Sequence, residues 1–336
     1  MSLRIFRNFS ATSFLCMTSF LLSFNNVFAD EISRIKILDK MMYTINPSAQ
    51  IIGPFFRDQA DKNEKTKYVS EIIKLILKVA DDKANKYLDA GDYQAYYAFL
   101  TLALTVPLHE GVYVHFRNVD GDVCFADANN GELVKKANPT TYKIFNQYFK
   151  NPNTPFFPNC ETMKVTKGVK QMIRGGDGTD LSIMQVSIRW HFDDFLANKK
   201  YIGVSSTLEY GFGHLLNGFD PVYRNVSDYK CITDTGGQKK KINYINLIKG
   251  IWAGKYNSGS IAQTCRFADP NSPYRKHDIG FARNLDKILN FNGTIPADYI
   301  GDLIVDQPTT MAIKEIILNL KENRNQRTAL DKLLEQ

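Results

Sequence analysis

The sequence predicts a mainly helical protein whose remaining chain is largely loop. Apolar residues recur at helical spacing in one segment near residue 70 and in another near residue 317. Between them, residues 93 to 108 (YQAYYAFLTLALTVPL) are apolar nearly all round, which for a helix means burial on every side. Alternating patterns are scarce, and GVYVHF at 111 to 116 is the best candidate strand. The spaced residues are Tyr68, Ile72, Leu75, Ile76 and Val79 in the first segment, and Ile313, Ile316, Ile317 and Leu320 in the second.

Residues 1–29 have the features of a secretory signal peptide. Arg4 and Arg7 precede a mostly apolar run over residues 11 to 24, and NNVFA then supplies small residues before a cleavage point. The run is shorter than the roughly 20 residues that span a bilayer, and no later stretch is long and apolar enough to do so. We therefore expect a periplasmic or secreted protein without stable membrane insertion.

Four cysteines remain once the signal peptide is removed: Cys124, Cys160, Cys231 and Cys265. Their even number, in a chain exported to an oxidising compartment, predicts two disulfides. Of the three possible pairings, we expect Cys124 with Cys160 and Cys231 with Cys265, because each pair closes a local loop. The first disulfide would hold a loop-rich insertion, since residues 117 to 180 are rich in Asn, Asp, Gly and Pro.

The charge of the chain favours anionic partners only mildly. Loss of Arg4 and Arg7 with the signal peptide lowers the formal net charge from +7 to +5. Such an excess suits peptidoglycan or nucleic acid without choosing between them, and an ordinary solvated surface explains it equally well. Lys239, Lys240 and Lys241 are typical of an exposed loop, so we expect no nucleic-acid partner. Protein partners are left open.

Three segments, in the same order along the chain, resemble those of one enzyme superfamily. LSIMQV (181 to 186) resembles a Gly-Leu-Met-Gln segment, and SSTLEYGFGHLL (205 to 216) resembles a helix with the pattern Ala-x-Asn-Ile-x-x-Gly-x-x-Tyr-Leu. IWAGKYNSG (251 to 259) resembles an Ala-Tyr-Asn-x-Gly segment. The superfamily is that of soluble lytic transglycosylases and goose-type lysozymes. The matching residues are Met184 and Gln185, then Leu208, Gly211 and Leu215, then Tyr256, Asn257 and Gly259.

The resemblance covers about residues 93 to 290 and implies a lysozyme-like catalytic domain, mainly helical with a minor strand component. Residues 30–92 would then form an N-terminal helical region, and residues 291–336 a C-terminal helical extension. The departures from the superfamily pattern are Ser182 and Ile183 in place of Gly and Leu, Thr207 in place of Asn, and an unusually long gap between the expected acid and Met184.

The superfamily uses a glutamate near the end of a buried helix as its acid, and Glu110 is the residue at that position here. Glycosidic cleavage needs a carboxylic acid that stays protonated near neutral pH, and an apolar wall raises its pKa by penalising the anion. Leu104, Val106 and Leu108 are candidates for that wall. The alternative is that Glu110 is a solvated residue at a helix end.

Gln185 is an unexpected amide in an apolar cluster. If Met184, Ile188, Phe192 and Phe195 form the buried stripe of a helix, Gln185 faces a cleft at the start of that helix. Its amide carries both a donor and an acceptor, which suits the N-acetyl and hydroxyl groups of an amino sugar.

The resemblance therefore implies a substrate-binding set of Met184, Gln185, Tyr256 and Asn257. The Tyr256 hydroxyl would hold either the glutamate or the saccharide. The alternative is that Tyr256 belongs to the core, because it shares a helix face with Ile245, Ile248 and Trp252.

We expect neither a metal nor a cofactor. His109 and His115 are six residues apart, about 600° around a helix, so they cannot share a face as zinc-protease histidines do. A second set of acidic and histidine residues lacks a recognised ligand spacing and is typical of loops and helix starts. Its members are Asp177, Asp180, His191, Asp193 and Asp194.

Together these observations predict an exported enzyme that cleaves the β-1,4 bond between N-acetylmuramic acid and N-acetylglucosamine in peptidoglycan glycan strands. A lytic transglycosylase with Glu110 alone is the preferred form. The first alternative is a lysozyme, which often uses a second carboxylate; a form of it that prefers N-deacetylated peptidoglycan is also left open. The alternative from another class is a wall-binding protein without catalytic activity. Thr207 motivates it, as do His109 and Gly111, which replace the usual neighbours of the catalytic glutamate. Candidates for the second carboxylate are Asp120, Asp122, Asp127, Glu132 and Asp177.

Overall fold

One long helix, buried on nearly every side, organises the described part of the chain. The computed structural model describes residues 62–119, 169–173, 180–188, 190–201, 203–234, 241–297 and 301–336. Helix accounts for 68% of these residues and strand for 6%, so the prediction of a mainly helical class is confirmed. The predicted signal peptide, Cys124, Cys160, Lys239, Lys240 and the five candidate second carboxylates lie outside the described residues, whereas Lys241 is described and exposed.

The buried helix is α2 (Tyr93–Gly111), and α1 (Lys62–Asp89) precedes it. The side chain of Asp92 caps the start of α2 by accepting from the Ala95 amide at 3.4 Å. Every residue from 95 to 108 is buried, as the apolar run predicts. The amphipathic spacing near residue 70 likewise gives the buried stripe of α1.

Five more α-helices follow, and several of them cover α2. Helix α2 is packed against α1, α4, α5 and α6. Helix α3 packs against α1, and α7 packs against α6. Two π-helical segments interrupt this pattern, Phe192–Ala197 and Trp252–Tyr256. The helices are α3 (Val204–Arg224), α4 (Tyr244–Ile251), α5 (Arg275–Leu289), α6 (Gln307–Glu322) and α7 (Thr328–Leu334).

The strands of the described residues form four separate antiparallel pairs rather than a common sheet. The shortest pairs have only two residues a strand, so they act as turns that hold neighbouring helices. The pairs are β1 (Phe116–Val119) with β2 (Val169–Met172), β3 (Asp180–Leu181) with β4 (Val186–Ser187), β5 (Thr233–Asp234) with β6 (Lys241–Ile242), and β7 (Thr294–Ile295) with β8 (Leu303–Ile304).

The predicted strand at 111 to 116 is wrong except for its last residue. Helix α2 continues to Gly111, and the chain then turns through Val112 and Tyr113, whose φ angles are 50° and 60°. The Tyr113 hydroxyl donates to the Leu104 carbonyl at 2.9 Å, which folds this turn back onto α2. Tyr113 and Val114 are fully buried, so the apolar alternation there marks a closing turn rather than a strand.

One disulfide joins Cys231 to Cys265, with a Cα–Cα distance of 5.6 Å and a sequence separation of 34. This pairing is confirmed. It ties the loop after α3 to the segment after the second π-helix, and so it encloses α4 and Trp252–Tyr256 in a covalent loop. Among the described residues we find no helix that could span a lipid bilayer.

Replacing both cysteines, as Cys231→Ala/Cys265→Ala, should lower the free energy of unfolding by roughly 3 to 4 kcal/mol, because the unfolded chain then regains the freedom of a loop of about 35 residues. Denaturant unfolding measures this change. An unchanged free energy of unfolding, or peptide mapping that linked Cys231 to Cys124, would contradict the expectation.

Candidate functional site

Glu110 lies in the last turn of α2 and is partly buried. Its Oε1 accepts a hydrogen bond from the Trp252 indole Nε1 at 3.2 Å. Burial raises the pKa of Glu110 to about 8, outweighing the Trp252 hydrogen bond, which lowers it, and the negative charge of Asp180 raises it further. Below that pH the carboxyl is neutral and able to donate a proton.

Trp252 owes its position to the change from α4 to the π-helical segment that begins at this residue. Its ring stacks on Phe281 of α5, with centroids 4.6 Å apart and planes 8° apart. The edge of His109 meets it at 5.0 Å, nearly at right angles. These apolar and aromatic contacts cover the indole and orient its N–H toward Glu110.

The hairpin formed by β3 and β4 lies against the end of α2 because Gly111 has no side chain. A Cβ added at Gly111 would lie 2.9 Å from the Ile183 carbonyl oxygen. The close approach brings the turn at 182 to 185 next to Glu110. The sequence places these segments about 70 residues apart, and this glycine allows them to meet.

Gln185 lies in that hairpin turn and not at the start of a helix, so the helical prediction for this segment is wrong. Its φ angle is 46°, and its side-chain Nε2 donates to the Ser182 carbonyl at 2.6 Å. The predicted stripe of Met184, Ile188 and the two phenylalanines is buried all the same. A buried turn, strand and π-helix satisfy the same apolar pattern that predicted one helix.

Met184 and Tyr256 are joined directly. The Tyr256 hydroxyl donates to the Met184 carbonyl, and burial followed by the charges of Glu110 and Asp180 raises the Tyr256 pKa. The Met184 side chain is fully buried and packs into space left by Gly211, where an added Cβ would lie 2.5 Å from its Cε. Met184 therefore serves the site through its carbonyl, while its side chain belongs to the core.

Asn257 lies at the exposed end of the same π-helical segment. Its Oδ1 accepts from Arg266 Nη2 at 2.8 Å, which fixes the direction of the amide. The structure thus brings together Glu110, Tyr256 and the backbone of Met184, with Asn257 one residue from Tyr256.

A cluster of partly exposed polar aromatic side chains adjoins Tyr256. The His214 ring lies 6.2 Å from that of Tyr256 and 4.9 Å from that of His191, and His191 Nδ1 is 2.7 Å from the Tyr210 hydroxyl. Burial, then the neighbouring His191 and Lys255, lower the His214 pKa to about 4. This histidine is therefore uncharged near neutral pH, and the cluster offers hydrogen-bonding groups beside Tyr256.

The two histidines that flank Glu110 in sequence make separate contacts. His109 Nδ1 lies 3.0 Å from the Asn284 amide nitrogen, and His115 is buried with its Nε2 3.2 Å from the Tyr201 carbonyl. Within the part of the chain that the structure describes, no group of three or more His, Cys, Asp and Glu side chains could hold a metal ion.

Two residues of the site are absent from the sequence-based set. Trp252 was assigned to a buried helix face, although a buried indole N–H needs an acceptor and so could have indicated a polar partner. The sequence pattern places Asp180 among possible metal ligands, whereas in the structure its charge acts on both Glu110 and Tyr256. No local signal in the sequence connects Asp180 with Glu110.

Comparison with known proteins gives no relative: no protein-family model, no curated protein and no solved structure matches the chain. The resemblance to lytic transglycosylases and goose-type lysozymes therefore rests on the three segments alone.

The emission of Trp252 should report the ionisation of Glu110, because the indole N–H donates to this carboxyl. The chain has two tryptophans, so Trp190→Phe leaves Trp252 as the only one. In that variant we expect a fluorescence transition centred near pH 8, the pKa of Glu110, separate from any change near pH 4, where His109 titrates at the edge of the same ring. Adding Glu110→Gln should abolish it. A transition that persisted in the glutamine variant would assign the titration to another group.

Proposed function

We propose that the protein is an exported muralytic glycosidase that cleaves the β-1,4 bond between N-acetylmuramic acid and N-acetylglucosamine, with Glu110 as its acid. One observation carries this proposal: the Glu110 carboxyl has a pKa raised to about 8 by burial, accepts a hydrogen bond from Trp252, and lies close enough to Tyr256 to raise the pKa of that residue. A protonated carboxyl of this kind suits donation to a glycosidic oxygen.

The reaction needs the same group twice. Glu110 first gives its proton to the leaving oxygen, and the resulting carboxylate then takes a proton from the attacking hydroxyl. The Trp252 N–H would stabilise the carboxylate in the second step, while burial favours the neutral acid in the first. Tyr256, held by the Met184 carbonyl, lies close enough for its pKa to respond to the charge of Glu110.

The polar groups around Tyr256, whose pKa responds to Glu110, suit a polar ligand such as an N-acetylated amino sugar. Tyr210, His191 and His214 present hydroxyl and ring N–H groups that are neutral near pH 7, and Asn257 adds an exposed amide. Aromatic rings with polar edges suit sugars, which have apolar faces and hydroxyl rims. The Cys231–Cys265 disulfide supports an oxidising, extracytoplasmic location.

Two outcomes of the cleavage follow from what attacks the sugar. In a lytic transglycosylase the muramyl 6-hydroxyl attacks and leaves a 1,6-anhydro end, whereas in a lysozyme water attacks, often with help from a second carboxylate. Asp180 is the carboxylate whose charge acts on Glu110 among the described residues, so it is the first candidate for that role. Glu110 alone is sufficient for the transglycosylase, which we prefer.

Glu110→Gln should reduce the cleavage of purified murein by roughly 100- to 10,000-fold or more, because the amide keeps the size of the side chain but cannot deliver a proton. Gln185→Ala and Tyr256→Phe should be milder, since each removes positioning or one hydrogen bond. Turbidity clearing of murein measures the rates. Glu209→Gln, at an exposed glutamate on α3, is the matched control and should leave the rate unchanged.

Two results would redirect this assignment. Near-normal turnover by Glu110→Gln, with loss of activity in Glu132→Gln or Glu161→Gln, would move the acid to the segment between β1 and β2. A wild-type protein that co-sediments with sacculi but never clears them would instead be a wall-binding protein without catalysis.

Digestion of murein by the wild-type protein should release fragments with 1,6-anhydro-muramic ends, which mass spectrometry distinguishes from hydrated reducing ends by one water. Only hydrated ends would favour a lysozyme. In that case Asp180→Asn should abolish cleavage, and chemically deacetylated murein becomes the substrate to compare.

A further inference from the structure

A buried ion pair adjoins the contact between Trp252 and Glu110. Arg266 is 6% exposed and Asp278 is 5% exposed. The guanidinium donates twice to one carboxylate, from Nε to Oδ2 at 3.1 Å and from Nη2 to Oδ1 at 2.6 Å. This fork geometry holds the plane of the guanidinium in one orientation.

The same guanidinium contacts two residues of the candidate site. Its central carbon lies 5.9 Å from the centroid of the Trp252 ring and 4.8 Å from that of Tyr274. Its Nη2 also donates to Asn257 at 2.8 Å. One side chain thus reaches both the donor to Glu110 and an exposed amide at the edge of the site.

Stability does not account for this arrangement. A buried ion pair contributes little compared with apolar side chains of similar size, because both charges must leave water. In addition, Arg266 Nη1 is buried and has no hydrogen-bond partner among the described residues, which costs free energy. The geometry that the guanidinium imposes on its neighbours is a better reason for a charge here.

We propose that Arg266 is a positioning residue that fixes the Trp252 indole against Glu110 and holds Asn257 at the edge of the site. Helix α5 supports this placement of Trp252 from one of its faces, since Asp278 and Phe281 are three residues apart and therefore lie on the same side of the helix. Phe281 supports Trp252 by stacking, and Asp278 does so through Arg266. For catalysis, the role rests on the proposed function, since it matters only if Glu110 is the acid.

Loss of the guanidinium should let Trp252 move and admit water to Glu110. Burial is the largest cause of the raised Glu110 pKa, so hydration should lower that pKa toward its ordinary value. The loss of the Trp252 hydrogen bond acts in the opposite direction and is the smaller effect.

The test uses Arg266→Met/Asp278→Leu in the Trp190→Phe background, because exchanging both charges for apolar side chains leaves no unpaired buried charge. The midpoint of the Trp252 emission titration should fall from near pH 8 by about one pH unit or more, a tenfold change in acid dissociation. The alkaline limb of murein cleavage should move with it. Arg327→Met/Asp81→Leu is the matched control: this Arg–Asp pair spans 3.0 Å and lies over Tyr96, and it should leave the midpoint near pH 8.

An equal midpoint in the two double variants would overturn the role of Arg266. If the first variant does not fold, Arg266→Lys carries the test: it keeps the charge but loses the planar fork, and a midpoint that stayed near pH 8 would also overturn the proposal. The titration needs no substrate, so its failure is separate from that of the proposed function. If the midpoint shifts but the wild-type protein does not cleave murein, the positioning role of Arg266 is supported and the proposed glycosidase function is contradicted.

Discussion

The site depends on the cost of ionising Glu110 where α2 ends. A carboxylate loses much of its hydration there, so the neutral acid is favoured up to about pH 8. The hydrogen bond from the Trp252 indole acts in the opposite direction, because it stabilises the carboxylate and lowers the pKa of Glu110. Contacts with Phe281, His109 and Arg266 hold the indole in place. In the proposed reaction, a group that tolerates both ionisation states gives a proton and later takes one back. The surrounding packing therefore holds the pKa of one carboxyl close to neutral pH.

Close backbone approach is the means by which the distant segments reach that carboxyl. Gly111 lets the hairpin turn contact the end of α2, and Gly211 makes room for Met184, whose carbonyl then holds Tyr256. The disulfide closes the loop that carries Trp252 and Tyr256. Gly111 and Gly211 thus set the distances between these segments, and the disulfide restricts the loop that carries Trp252 and Tyr256.

The sequence predicted those features of the fold that depend on the spacing of nearby residues. The buried α2 and the amphipathic α1 and α6 follow from periodicity, and the Cys231–Cys265 pairing follows from loop closure. The turn around Gln185 was predicted as a helix because burial alone does not distinguish a turn from a helix over four residues. The sequence does contain one indication of the role of Trp252, because a buried indole N–H needs a hydrogen-bond acceptor. The coupling of Asp180 and Arg266 to the site depends on long-range packing, which leaves no pattern in a single sequence.

Backbone strain points to the same place as the electrostatics. Six non-glycine residues of the described chain have positive φ, and four of them, Val112, Tyr113, Ser182 and Gln185, lie in the two turns that meet beside Glu110. For a β-branched residue such as Val112 this conformation is unfavourable. Strained backbone persists only where the surroundings determine it fully, and such positions cluster at functional sites. Val112 also caps the C-terminus of α2, and the turn at Ser182 and Gln185 reverses the chain between β3 and β4, so the same positive φ angles close both turns and hold the candidate acid against the hairpin.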